Sequence, residues 1–163
     1  MKKHALLSLI VSLCSLAVFG VMLAFQIEKS HDDFEESITV KSGESTSETL
    51  EFKALSLIPG ESVEYTISLK SDLVSNYLIT LEFDETEDLG LKAFVDAVVS
   101  IGETELYRGT LTDLFAGDPL SFEYEIKEEA QEISIVYSMD REVGDSAQGA
   151  ECKFDVLFTA ETA

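Results

Sequence analysis

The sequence has few of the residues on which most catalytic and metal sites depend. In 163 residues it contains no tryptophan, two histidines, two cysteines and two prolines. His4 lies near the first residue, and His31 lies in a polar stretch beside Asp32 and Asp33, where a solvated linker histidine competes with a metal ligand. Because no histidine follows residue 31, the rest of the chain cannot form a His-Glu-x-x-His zinc site, a His/Cys cluster or a Ser-His-Asp catalytic set.

Positive charge is also scarce. Eleven lysine and arginine residues stand against 32 aspartate and glutamate residues, which gives a formal net charge of −21 at pH 7. Such a surface repels phosphate groups, so nucleic acid and anionic lipid headgroups are poor partners. The balance is typical of a self-repelling exterior that keeps an exported protein soluble, and binding of divalent cations is the alternative interpretation.

Signals for catalysis are absent as well. No Gly-x-Gly-x-x-Gly or phosphate-loop pattern occurs, and carboxylates are too numerous for spacing to select a general acid and base. We therefore expect a protein that is not an enzyme and that holds no cofactor.

An acidic segment, predicted to be a loop, is the best calcium candidate because calcium prefers hard oxygen ligands. Its potential ligands are Asp84, Glu85, Glu87 and Asp88. The segment lacks the Asp-x-Asp-x-Asp-Gly arrangement that turns ligands inward. An exposed connection between strands is the competing interpretation.

One long hydrophobic run occurs, and it lies at the start of the chain. Two lysines and a histidine precede an uncharged stretch from Ala5 to Phe25, about 21 residues that predict a hydrophobic helix. That length is enough to cross a hydrocarbon core of about 30 Å. The lysines predict a cytoplasmic start, so the residues after Gln26 are expected outside the membrane, in an extracellular or cell-surface location.

The run is either a cleaved signal peptide or a retained anchor. Its length favours an anchor, whereas its serines and the small residue Ala24 favour cleavage before Phe25. Met22, three residues before that cut, is large for an ordinary signal peptidase. We expect a signal or anchor at residues 1–24, a polar linker at residues 25–36 and one domain at residues 37–163. Membrane contact is expected only through residues 1–24.

Loss of residues 1–24 leaves Cys152 as the single cysteine, so no intramolecular disulfide can form in the mature domain. In the segment around it, Cys152 shares one strand face with Phe154, Val156 and Phe158. The pattern predicts a buried thiol that behaves as a small hydrophobe rather than a reactive group.

Beyond the linker, apolar residues recur with period two, as in half-buried strands. Eight or nine short strands, turn signals such as Pro59-Gly60 and Gly102-Glu103, and no long helical pattern predict an all-β, antiparallel β-sandwich. One helical turn is expected from Thr110 to Phe115, with Thr110 and Thr112 as caps. The predicted core consists of Val63, Tyr65, Ile67, Leu69, Phe83, Phe154, Val156 and Phe158.

Four segments together resemble the TasA/camelysin family of exported Gram-positive proteins. Leu23-Ala-Phe-Gln-Ile-Glu-Lys-Ser30 resembles the family's processing junction, and Leu57-Ile-Pro-Gly-Glu-Ser62 resembles its Leu-x-Pro-Gly-Asp segment. Tyr107-x-Gly109 with Leu111-Thr-Asp-Leu-Phe115 is similar to its mid-domain segment. Asp145-Ser-Ala-Gln-Gly149 followed by Lys153–Ala160 resembles its Asn-x-x-Gln-Gly turn and final strand.

The resemblance implies a jelly-roll-like sandwich, processing by a dedicated signal peptidase, and a role at the cell surface or in the biofilm matrix. In fibre-forming members, the segment after the cleavage site completes the sheet of the next subunit. The chain departs from the pattern at Phe25-Gln-Ile27, Ser37-Ile-Thr-Val40 and Glu161-Thr-Ala163, so family membership is better supported than fibre formation. The metalloprotease activity of some camelysins finds no ligand set in this sequence.

The sequence thus favours a non-catalytic exported protein that acts by assembly or adhesion, with self-association or matrix and cell-surface partners. A membrane-anchored extracellular binding module and a metal-dependent hydrolase are the alternatives. Segment Phe25–Val40 is the predicted assembly element, since its β-prone end Ile38–Val40 could pair with a neighbouring subunit or within its own domain.

Overall fold

A computed structural model describes residues 34–41, 43–52, 54–147 and 149–163. The predicted helix of residues 1–24, the cleavage junction at Ala24 and Phe25, and His31 lie outside these ranges.

Nine strands lie in the described part of the chain. They are β1 (Phe34–Val40), β2 (Thr46–Glu51), β3 (Ser62–Ser71), β4 (Ser75–Asp88), β5 (Val95–Ile101), β6 (Thr104–Thr110), β7 (Leu120–Ile126), β8 (Gln131–Met139) and β9 (Cys152–Thr162). A short helix, α1 (Leu111–Ala116), follows β6, and 3-10 turns occupy Lys92–Phe94 and Arg141–Ala147. The all-β prediction is confirmed.

The strands form two sheets. Sheet A has five strands in the order β1-β3-β8-β5-β6, and sheet B has four in the order β2-β9-β4-β7. All neighbouring pairs are antiparallel except β1 and β3, which run parallel. The all-antiparallel prediction is wrong for this pair because β2, which lies in sheet B, carries the chain back before β3 enters sheet A in the direction of β1.

Inward-facing residues of both sheets form one hydrophobic core. Of the eight predicted core residues, seven are buried, and Val63 is half-buried near the start of β3. Residues 33–163 form a compact unit, and the buried core cluster comes wholly from residues 38–160. Because this unit contains its own core, it is able to fold by itself.

Local sequence explains the turns. Pro59 and Gly60 occupy the centre of a tight turn closed by a hydrogen bond from the Glu61 N–H to the Ile58 carbonyl, 2.9 Å, and Gly60 adopts a φ of 88° that favours glycine. Thr110 caps helix α1, as predicted, by accepting the Asp113 N–H at 3.1 Å. Thr112 is not a cap, because its hydroxyl donates to the Lys92 carbonyl.

Candidate assembly site at edge strand β1

Strand β1 is an edge strand whose inner face is only partly apolar. Phe34 is half-buried, and Ile38 and Val40 are fully buried, all on one face because side chains alternate along a strand. Glu36 shares that face but remains exposed. A charged side chain on the inner face of an edge strand is a recognised barrier to uncontrolled pairing.

Of the strands that the structure describes, β3 alone pairs with β1. Its residues pair in register with β3, from Phe34 opposite Tyr65 to Val40 opposite Ser71. In the part of the chain that the structure describes, the other side of β1 faces no strand. Its outward-pointing backbone N–H and C=O groups are therefore available to a further strand.

An aromatic cluster lies under the start of β1 and joins the two sheets. Phe34 lies 4.3 Å from Phe52 and 5.4 Å from Tyr65, measured between ring centroids, and the Phe52 and Tyr65 rings stack at 4.9 Å. The cluster continues through ring contacts of 5.3–5.5 Å to Tyr137, Phe154 and Phe115. Phe34 thus lies at one end of a column that ties β1 to the core.

Two tyrosines in this column are uncharged at neutral pH. Burial raises the pKa of Tyr65, and burial, followed by the nearby Tyr65 and Cys152, raises the pKa of Tyr137 well above its ordinary value. The Tyr137 hydroxyl is fully buried and has no hydrogen-bond partner among the residues described. An unpaired buried hydroxyl costs free energy, so the column is less stable than its apolar area implies.

The outer side of β1 and β3 is strongly acidic. A shallow groove of about 290 Å³ is lined by Phe34, Glu35, Glu64, Thr66 and Glu132, which places three carboxylates around one depression. Glu64 accepts a hydrogen bond from the Ser134 hydroxyl of β8. A further acidic strand approaching this side meets electrostatic repulsion, which salt screens.

The predicted acidic loop is wrong as a loop, because residues 84–88 form the end of strand β4 and pair with the start of β9. A register irregularity between Glu85 and Glu87 marks a bulge there. Lysines bind three of the four calcium candidates: Lys92 Nζ lies 2.6 Å from Glu85 and 3.6 Å from Asp88, and Lys153 Nζ lies 2.6 Å from Glu87.

These ion pairs raise the lysine pKa values. The hydrogen bond to Glu85 is the largest cause for Lys92, and the hydrogen bond to Glu87 is the largest for Lys153. Within the described ranges, no group of three His, Cys, Asp or Glu side chains is arranged to hold a metal ion.

Cys152 is buried and shares its face with Phe154, Val156 and Phe158, as predicted. Burial raises the pKa of its thiol to about 11, with the charges of Asp88 and Glu85 contributing further. Deprotonation to the reactive thiolate is therefore suppressed at neutral pH.

The linker predicted at residues 25–36 contains three residues of the edge-strand site, namely Phe34, Glu35 and Glu36. The structure starts β1 three residues before the expected domain boundary at residue 37. The signal was present, since Phe34 has the same parity as Ile38 and Val40. Glu36 interrupted the apolar alternation and hid it.

Among the residues described, no helix is both long enough and apolar enough to span a bilayer.

Comparison with known proteins leaves the family unassigned. No protein-family model matches the chain, and no curated protein matches it. Among solved structures, it is similar to a β-glucosidase from Paenibacillus barengoltzii, with 13% identity and a TM-score of 0.35. The match covers 77% of this chain and 11% of that chain, and a likeness this weak carries no argument about function.

Proposed function

We propose that this chain is a non-catalytic exported protein of the TasA/camelysin type that acts at the cell surface or in a biofilm matrix through assembly. The four family-like segments support the proposal. So does the connectivity, in which consecutive strands pass repeatedly between the two sheets, as in a jelly roll.

Strand β1 carries the proposal. It begins within the predicted linker, has one neighbour among the described strands, and enters sheet A by parallel pairing rather than through a hairpin. No tight turn ties it to β3, so the β1 of a second copy could occupy the same register on β3. Within one chain, Ile38–Val40 pairs with its own domain, and exchange requires that pairing to open.

Charge opposes this exchange. All 32 acidic residues lie after residue 24, and the groove beside β1 adds three carboxylates at the place where a second copy would approach. We expect monomers at low ionic strength and association when salt or calcium is raised or pH falls towards the carboxylate pKa values. A chain starting at Phe25 that stays monomeric in light scattering under every such condition would contradict assembly.

A disulfide lock tests the exchange directly. Ser37 of β1 and Ser68 of β3 are register partners with outward side chains, so Ser37→Cys with Ser68→Cys allows a crosslink within one chain. We expect the oxidised chain to associate much less than the reduced chain. The matched control, Thr80→Cys with Ser121→Cys, joins β4 to β7 and should not change association. Equal association of the oxidised and reduced forms excludes exchange of β1.

Residues 1–24 decide between release and anchoring. We propose cleavage between Ala24 and Phe25, which releases the domain. N-terminal sequencing of the mature protein is the test: a start at Phe25 supports release, and an intact Met1 supports a membrane-anchored extracellular binding module.

An enzyme is the rival class, and its chemistry would have to rest on carboxylates. The purified domain is expected to leave peptide and glycan substrates intact. Hydrolysis that is lost on a single carboxylate substitution would support the rival.

A further inference from the structure

Two adjacent apolar residues are exposed where the chain passes from sheet A to sheet B. Leu73 is 58% exposed and Val74 is 56% exposed, in the connection between β3 and β4. The other large exposed apolar residues, Ile58, Leu78 and Leu89, occur singly in the described sequence. Ser71 orders the connection, because its buried hydroxyl accepts the Leu73 N–H at 3.4 Å and lies 3.3 Å from the Tyr77 hydroxyl oxygen.

Three lysines surround this connection. Lys70 precedes Ser71, the Lys127 carbonyl accepts the Ser71 N–H at 2.9 Å, and Lys41 follows Val40, the register partner of Ser71. All three side chains are exposed, and none has an ion-pair partner in the described ranges, whereas Lys92, Arg108 and Lys153 do. We call the region formed by Leu73, Val74 and these lysines the Leu73 end.

The Leu73 end is close to neutral in a chain of net charge −21. Its three lysines are accompanied by the carboxylates of the adjoining turns, which are Glu44, Asp72, Glu128 and Glu129. Repulsion of a second copy is therefore weaker at this region than the net charge of the chain implies.

The outer face of sheet B has the complementary composition. Glu51, Asp155 and Asp84 stand opposite one another on β2, β9 and β4, so three carboxylates form a row across three strands. Glu82 lies one row away, opposite the half-buried Leu157, and the exposed Leu78 lies on the same face. Like charges directly opposite one another are destabilising, and a cationic partner would relieve this repulsion.

We propose that the Leu73 end of one chain docks on the outer face of sheet B of a second copy. Lysines then meet the carboxylate row while Leu73 and Val74 meet Leu78 and Leu157. The two surfaces are different, so each docked chain leaves one of each free, and such a heterologous contact repeats into a ring or an open array. This inference rests on the proposed assembly, to which it adds a second contact that uses no strand exchange.

Charge reversal separates local docking from global repulsion. The variant Glu51→Lys, Glu82→Lys, Asp84→Lys makes the net charge less negative, so global repulsion alone predicts stronger association. Docking predicts weaker association, by about tenfold if each lost contact contributes as a surface ion pair. The control Asp96→Lys, Glu103→Lys, Asp145→Lys changes net charge equally at exposed positions outside sheet B and outside the groove beside β1, and it should associate at least as well as wild type. Equal behaviour of the two variants overturns the proposal.

Mixing tests whether the two surfaces meet. Lys41→Glu, Lys70→Glu, Lys127→Glu should also lose association alone. Mixed with the sheet B reversal variant, it should recover, because an acidic end then meets a basic face. Failure to recover, with both variants folded by circular dichroism, overturns the pairing.

The apolar part has its own control. Leu73→Ser should weaken association severalfold, whereas Leu89→Ser, at the same 58% exposure, should leave it unchanged. Binding to phosphatidylglycerol vesicles that Leu73→Ser abolishes, with self-association intact, would make the end a lipid contact and overturn the proposal.

The oxidised Ser37→Cys, Ser68→Cys chain distinguishes exchange of β1 from docking of the Leu73 end. If this locked chain associates less than the reduced chain but retains a weak association that the Leu73→Ser substitution removes, both contacts exist. If chains without the crosslink associate, and no substitution at the Leu73 end changes that association, the proposed assembly is supported and the docking proposal is wrong. If no chain associates, the proposed function fails first.

Discussion

Strand β9 has a neighbouring strand on each side, whereas strand β1, among the described strands, has a neighbour on one side alone. Four inward residues of β9, namely Phe154, Val156, Phe158 and Ala160, are fully buried. On β1 only Ile38 and Val40 reach that state, and Glu36 points inward while remaining exposed. Both strands contribute to one core, yet they are held to very different degrees.

The two strands therefore differ in role: β9 stabilises the domain, whereas β1 is available for pairing with another chain. Removing β9 would split sheet B and open the core, so its contacts define the fold. Removing β1 would uncover one edge of sheet A and one end of the aromatic column while the other strand pairs remain. A strand suited to exchange has to resemble β1, whose removal leaves the other strand pairs intact, because low local stability is what permits local opening.

Truncating one phenylalanine in each strand should give the largest contrast. Phe154→Ala removes a fully buried ring that contacts three other aromatic rings, and we expect a loss of about 4 kcal/mol in the free energy of unfolding. Phe34→Ala removes a half-buried ring and should cost about 1.5 kcal/mol. Urea denaturation of the chain starting at Phe25 measures both.

Phe122→Ala, which truncates a half-buried ring on edge strand β7, is the control for edge position. A loss for Phe34→Ala equal to that of Phe154→Ala would mean that β1 is as firmly held as β9, which would end the comparison.

Strand β6, at the opposite edge of sheet A, should be sensitive to an added methyl group. On β6, a methyl group at Gly109 would lie 2.6 Å from the Tyr107 hydroxyl oxygen, which is itself engaged by donation to the Thr110 carbonyl at 2.8 Å. We expect Gly109→Ala to destabilise by about 2 kcal/mol through overpacking. The cost should fall by at least about 0.5 kcal/mol in a Tyr107→Phe background, as measured by a double-mutant cycle. Strict additivity would show that the hydroxyl does not cause the strain.

The stability of the domain at alkaline pH should report the burial of the Cys152 thiol at the start of β9. Burial raises the pKa of the Cys152 thiol from its ordinary value of 9.0 to about 11, so the folded state retains a proton that the unfolded state loses. The stability that this thiol contributes is complete below about pH 9 and is lost as pH rises towards 11.

Denaturation of wild type and Cys152→Ala between pH 8 and 11 measures this contribution, and the difference between the two chains removes the effect of the buried tyrosines. We expect the difference in unfolding free energy to decrease with pH. A constant difference would indicate that the thiol titrates normally in the folded chain.

The smallest effect should come from the carboxylate row of sheet B. Asp155→Asn removes the central charge between Glu51 and Asp84 and should stabilise the domain by about 0.5 kcal/mol at low ionic strength. In 1 M salt, where the screening length is about 3 Å, the gain should vanish. Glu123→Gln is the control, since the register partner of Glu123 is Leu78. Stabilisation that persists in high salt would exclude like-charge repulsion as its cause.

Sequence alone anticipated the elements in which both faces follow a strict alternation. Strand β3 and strand β9 are clear in this way, and the turn at Pro59-Gly60 and the cap at Thr110 follow from local backbone chemistry. Period two reports which face a residue occupies, and it contains no information on the neighbour or direction of a strand. The parallel pairing of β1 with β3 was therefore beyond its reach, as was the edge position on which the candidate site depends.

The acidic end of β4 escaped prediction for a different reason. Residues 84–88 have no apolar alternation, and their extended conformation is imposed by pairing with β9, together with an ion pair between Glu87 and Lys153 of that strand. Such tertiary support overrides local preference.

The central position of β9 also governs the order in which sheet B can form. β9 follows the other eight described strands along the chain, yet it lies between β2 and β4, with Ala160 opposite both Thr46 and Ile79. Sheet B cannot close before β9 is available, and pairings this distant in sequence make folding slow. Until β9 docks, β2 and β4 each lack their neighbour in the sheet, so the wait for β9 is the interval in which these two strands are exposed to wrong partners.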